Sequence, residues 1–251
     1  MIGTVTDYTA KRIFLSTKTW ILFAVQTAIL AWVFQDLLSR YMWSVANPLS
    51  PEYPRYGVTT EILQPYFNYA AILHLFTTAL LGCGLIAEER QRQSIVLFFT
   101  SPVSPVTLII GYYCALLLPL LVSLFFTLLI PLSILFIGTV DPMQFFCQSL
   151  GLTLSIATFA AISLMASSFS RQTSYAYMMA LGLIGLLIFL EKVELFNATM
   201  RYFFQEFSLL HHLQDFLQGL YSSQNIFYFL MIIITCLVLS MLSIRWETKY
   251  S

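Results

Sequence analysis

The stretch Glu88-Glu89-Arg90-Gln91-Arg92-Gln93-Ser94, continuing through Ile95-Val96-Leu97-Phe98-Phe99 to Thr100-Ser101-Pro102-Val103-Ser104-Pro105, decides how this chain is read. Its charges sit in a short connector between two long apolar spans, and an unbroken apolar run from Ile95 to Phe99 follows them. Leaving a phenylalanine in water instead of burying it is unfavourable by roughly 1.5–3 kcal/mol, so lipid or another protein must cover that run. A connector of this composition is a docking surface. Pro105 falls where the next span begins, a position at which the missing backbone donor is harmless.

Outward from the connector, the chain is too apolar for an ordinary globular core: 251 residues are 59% hydrophobic and 10% charged, with a mean hydropathy of +0.80. Such a composition belongs in a bilayer. A helix needs about 20 apolar residues to cross roughly 30 Å of hydrocarbon. Six segments qualify, at 20–38, 66–87, 106–137, 143–169, 174–190 and 226–245. The first follows Lys11, Arg12 and Lys18 and ends in Gln35-Asp36 without a small-residue cleavage site, so it is expected to be retained rather than removed as a signal peptide. No internal repeat or low-complexity tract is evident, and the expectation for 1–251 is one all-α integral membrane domain.

Charge sets the expected orientation, because Lys and Arg are retained on the cytoplasmic side. With both termini inside, Lys11, Arg12, Lys18, Arg90, Arg92, Arg171, Arg245 and Lys249 are cytoplasmic, against Asp7, Glu88, Glu89 and Glu247, a net of +4. The opposite side carries the complementary −4, so the zero net charge conceals a strong asymmetry. This arrangement puts the 88–105 connector in the cytoplasm.

Few residues carry chemistry. Cys83, Cys114, Cys147 and Cys236 fall in apolar spans without metal-site or disulfide spacing and read as small buried hydrophobes. The third span is long and contains Pro119 and Pro131, each of which favours a kink. The fourth carries Ser149, Thr153, Ser155, Thr158 and Ser163 among Gly151, Ala157, Ala160 and Ala161. Small residues allow close helix approach, with hydroxyls expected to bond across the contact; the alternative is that Thr153, Thr158 and Ser163 line a translocation path. His74 stands alone in the second span, either as a neutral packing residue or on that same path. His211 and His212 are expected at the surface outside the membrane.

Two flanking segments are amphipathic. In 3–17, Val5, Tyr8, Ile13 and Phe14 oppose Asp7, Lys11 and Arg12, the pattern of a helix lying in the membrane interface against anionic headgroups. In 196–220, Phe203, Phe207, Leu210, Leu213, Leu217 and Leu220 recur near helical spacing, giving an external helix on the membrane, broken near Ser208 and ended by Gly219.

With these residues in view, Thr100 to Pro105, together with the preceding charged run and Ile109-Ile110-Gly111, resembles the signature of ABC-2 type transporter permeases. Phe216-Leu217-Gln218-Gly219 and Ile226-Phe227-Tyr228-Phe229 are similar to the ending of the gliding-motility (GldF-like) subgroup. The chain departs from the family pattern at Gln93-Ser94, Val96 and Tyr112. The resemblance implies the membrane half of a type V-like ABC exporter in the inner membrane: an interfacial helix over 1–18, six transmembrane helices, a coupling helix over 89–101 and external helices over 196–222. It also implies a homo- or heterodimer of permeases docked on ATPase subunits that hold ATP and Mg.

The chain has no Gly-x-x-x-x-Gly-Lys-Ser/Thr phosphate loop, so ATP-driven work needs a partner. On this reading the ATPase contact is made by Glu89, Arg90, Arg92, Ser94, Ile95, Phe98, Phe99, Ser101 and Pro102, and the chain itself binds no cofactor, metal or nucleic acid. The competing reading is a non-transporting scaffold or sensor that uses the same connector to dock a cytoplasmic partner.

Overall fold

The computed structural model describes residues 2–47, 57–91, 104–135, 140–189 and 206–250. Among them there is no strand. The helices are α1 (Ile2–Phe14), α2 (Thr17–Ala46), α3 (Gln64–Gln91), α4 (Pro105–Leu135), α5 (Pro142–Phe169), α6 (Thr173–Phe189), α7 (Leu209–Leu217) and α8 (Ser223–Tyr250). Helix α3 is preceded by a π-turn over Thr59–Leu63. Pro65 explains it: without an N–H it cannot donate to the Glu61 carbonyl, and the wider turn closes with Gln64 N donating to Thr59 O.

The helix ends follow local chemistry. Asp141 caps α5 by accepting from Met143 N at 2.9 Å, with Pro142 in the first turn. Ser104 caps α4 by accepting from Thr107 N at 3.2 Å, with Pro105 as the first helical residue. Ser208 caps α7 by accepting from His211 N. Gly219, at φ 82, closes α7: Gly219 N donates to Phe216 O and Leu220 N to Asp215 O, the paired bonds of a Schellman stop.

Among the described residues, five helices are long and apolar enough to cross a membrane: Thr17–Ala46, Thr59–Gln91, Pro105–Ile134, Pro142–Phe169 and Ser223–Trp246. Helix α6, over the expected fifth span, has 17 residues, or about 25 Å at helical rise, shorter than roughly 30 Å of hydrocarbon. Helix α4 runs through Pro119 and Pro131 without interruption.

Helix α5 is the hub, packed on α3, α4, α6, α7 and α8. Most of α3 and α5 is buried, whereas α2 and α8 turn most of their apolar surface outward. The α3–α5 seam is close because Gly82 faces Ser163: a Cβ built on Gly82 would lie 2.0 Å from Ser163 Oγ. One turn further, Ser167 Oγ donates to Cys83 O at 2.8 Å and accepts from Ile86 N and Ala87 N at 3.1 and 3.0 Å.

Several expectations are corrected here. Ser149, Thr153, Ser155, Thr158 and Ser163 do not bond across helices; each donates to a carbonyl of α5 itself, three or four residues back. In an apolar seam the nearest acceptor is the helix's own carbonyl. Cys114 is exposed, unlike the other three cysteines. His212 is 3% exposed rather than a surface residue. The apolar side of α7, with Leu209, Leu213, Phe216 and Leu217, is buried against protein, where a Cβ on Gly151 of α5 would lie 2.5 Å from Phe216 Cβ. In α1, Tyr8 is 67% exposed, and the buried side is Thr9, Ala10 and Ile13. Helix α1 packs on α4, with Val5 above Gly111.

Candidate functional site

The connector expected to dock a partner begins at the end of α3 and finishes at Ser104. Glu89, Arg90, Ser104 and Pro105 are described; Arg92, Ser94, Ile95, Phe98, Phe99, Ser101 and Pro102 lie outside the described residues. Its first anchor is therefore visible. Glu89 is 6% exposed, turned inward rather than presented to a partner. Arg12 Nη1 of α1 donates to Glu89 Oε1 at 3.2 Å, and the Tyr112 hydroxyl of α4 donates to Glu89 Oε2. A carboxylate this buried needs such donors, because an unpaired charge in an apolar interior is strongly disfavoured. Next to it, Arg90 Nη1 donates to the Ser170 carbonyl at the end of α5, and Ser243 of α8 donates to Ser168 O.

These bonds draw the end of α1, the end of α3, the start of α4, the α5–α6 turn and α8 to one end of the bundle. Lys11, Arg12, Lys18, Arg90 and Arg171 therefore gather there. The other end carries Glu61, Asp141, Glu206 and Asp215. Here His212 Nδ1 is 2.8 Å from Asn225 Oδ1, Asn225 Nδ2 donates to Asp215 Oδ2 at 3.1 Å, and the His212 ring stacks on Tyr228 with centroids 4.0 Å apart.

His74, solitary in the sequence, has partners in the fold. It is fully buried, with Nδ1 2.9 Å from the Ala70 carbonyl. Gln26 Nε2 of α2 lies 3.0 Å from His74 Nε2, and Thr77 Oγ1 donates to Gln26 Oε1 at 2.6 Å. Gln26 Nε2 is also 3.1 Å from His74 Nδ1, and the Thr77 hydroxyl has the Leu73 carbonyl 2.9 Å away as a second acceptor. These contacts tie α2 to α3, with Ser123 Oγ of α4 3.5 Å from His74 Nε2. Periodicity could not reveal Gln26 or Ser123 as its neighbours, since they come from two other helices.

Of the other path residues, Thr158 and Ser163 are fully buried inside the subunit, and Thr153 is half-buried. Among the described residues no three His, Cys, Asp or Glu side chains are grouped to hold a metal ion.

Comparison with known proteins agrees with this picture. No curated relative matches the chain. The family model described as ABC-2 family transporter protein matches residues 11–246. The chain thus belongs to the ABC-2 transporter family, whose members are multi-pass membrane subunits of ABC transporters and not themselves the ATPase.

Proposed function

We propose that this chain is the permease of an ABC exporter of the inner membrane, with both termini cytoplasmic, that pairs with a second permease and converts ATP hydrolysis on docked ATPase subunits into substrate movement. The observation that carries the reading is the joint at Glu89, where one carboxylate on the last turn of α3 holds both Arg12 of α1 and Tyr112 of α4. A displacement of the connector that starts just beyond it is delivered to α1, α3 and α4 together, rather than being absorbed by a loose loop.

In this mechanism Ile95, Phe98 and Phe99 fill an apolar cleft on the ATPase, while Arg90, Arg92, Ser94, Ser101 and Pro102 frame the contact. Glu89 acts from inside as the pivot. ATP and Mg belong to the partner. The fold is read as six spans with α1 at the interface, a coupling helix at 89–101 and α7 on the external side, all in one domain of the gliding-motility-like type.

The test is co-purification of the cognate ATPase with a Phe98→Asp, Phe99→Asp variant. Loss of the ATPase from the complex is expected, and undiminished binding would overturn the docking role. In liposomes, the assembled pair should hydrolyse ATP faster than the ATPase alone; a pair that binds without stimulation would favour the scaffold reading.

A further inference from the structure

A cavity of about 620 Å³ opens at the basic end of the bundle, between the α1–α2 corner and α3. The α1–α2 corner lines it with Arg12, Ser16, Lys18, Thr19 and Leu22, and α3 with Leu80, Leu81, Gly84, Leu85 and Glu88. Glu88 is folded back along α3 so that its Oε1 lies 3.2 Å from where a Gly84 Cβ would stand. The cavity thus has two cations from the α1–α2 corner, a carboxylate from α3, and apolar lining from Leu22, Leu80, Leu81 and Leu85.

The apolar lining continues outward. On α3, Leu80, Phe76 and Ile72 are 50%, 45% and 51% exposed, one turn apart. On α2, Ile21, Val25 and Ile29 are likewise exposed. This strip descends about 12 Å from the charged mouth along α3. Arg12 spends one nitrogen on Glu89 and keeps others for a ligand. No side chain caps the N-terminus of α2 at Ser16, so the positive end of that helix lies beside Lys18.

The geometry points to a binding site for a zwitterionic phospholipid bearing a primary amine, phosphatidylethanolamine, between the α1–α2 corner and α3. Its phosphate lies against Lys18, Arg12 and the start of α2, its ammonium against the Glu88 carboxylate, and an acyl chain along Leu80, Phe76 and Ile72. Charge complementarity selects this occupant. A purely anionic headgroup meets Glu88 as a like charge, and a choline headgroup has no N–H to donate to it. The covered strip and the ordered headgroup bind α1, α2 and α3 together, so the lipid would stabilise the folded chain.

The experiment is thermal unfolding of the full-length, delipidated protein in detergent with added phosphatidylethanolamine, phosphatidylglycerol or phosphatidylcholine, or with inorganic phosphate. Phosphatidylethanolamine near saturation is expected to raise the midpoint by about 5 °C, more than the other additives. Glu88→Gln should weaken its binding about tenfold and erase the preference for it. Gly84→Leu, projecting into the cavity, should abolish the shift. Equal shifts from all three lipids, a larger shift from phosphatidylglycerol, or the full shift from phosphate alone would overturn the proposal. So would efficient cross-linking of Leu80→Cys between two copies, which would assign the strip to a protein partner. Should Gly84→Leu fail to fold, the lipid preference of Glu88→Gln decides the matter.

Discussion

At the scale of single residues, buried His74 and Glu89 of α3 are both answered by other helices. Glu89 receives Arg12 and Tyr112; replacing it with Ala leaves a guanidinium and a phenol without their acceptor and should destabilise the chain by about 2 kcal/mol. Thermal unfolding of Glu89→Ala checks this, and the charge-swapped pair Arg12→Glu, Glu89→Arg should recover part of the loss. An unchanged midpoint in Glu89→Ala would show that the joint is not held as described. His74 and Gln26 form the second case. A double-mutant cycle of His74→Ala with Gln26→Ala should give a coupling near ~1 kcal/mol, the usual strength of polar contacts inside a membrane, whereas strict additivity would dissolve the pair. The sequence displays His74 as isolated and Glu89 as one more connector charge. Their partners are 48 and 77 residues distant, beyond what any local pattern reports.

At the scale of elements, the α3–α5 seam depends on Gly82. Gly82→Ala places a methyl 2.0 Å from Ser163 Oγ and 2.8 Å from Ser163 Cβ, so the helices must separate, at about 1–3 kcal/mol. The companion change Ser163→Gly opens the space and should restore the unfolding midpoint in the double variant; failure to restore it would place the strain elsewhere. Where some elements begin and end was legible at Pro105, Ser208 and Gly219, which act through their immediate neighbours, whereas the Ser104 and Asp141 caps emerged only in the structure. Which side of an element is buried was less so. Helix α1 turns Tyr8 outward and lays Val5 on Gly111, and α7 presses Phe216 onto Gly151 rather than facing lipid. An apolar side has the same composition whether lipid or protein covers it.

At the scale of the whole molecule, Lys11, Arg12, Lys18, Arg90, Arg171 and Arg245 of the described residues collect at the end where the connector starts, while Arg40 stands toward the other end of α2. If the connector end is cytoplasmic, Ile95→Cys in a Cys114→Ser background should react with a membrane-impermeant maleimide only from the cytoplasmic side, and Glu52→Cys only from the other. Labelling of residue 95 from outside would invert the orientation and remove the basis for docking an ATPase there.

Composition, hydropathy and capping residues by themselves determined that the chain is helical, lives in a membrane and breaks where it does, because burial in lipid and backbone hydrogen bonding at helix ends are local requirements. The ABC-2 character of the connector was also carried by contiguous residues, Thr100 to Pro105. The tertiary structure alone decided which helix is the hub, that Ser167 rather than the more numerous hydroxyls before it crosses the seam, that His212 is enclosed, and that Arg12, Lys18 and Glu88 surround one cavity. The reason is physical: helices that are apolar on every side carry no periodic signal to orient them, so small steric differences and a few polar contacts between distant segments fix their arrangement.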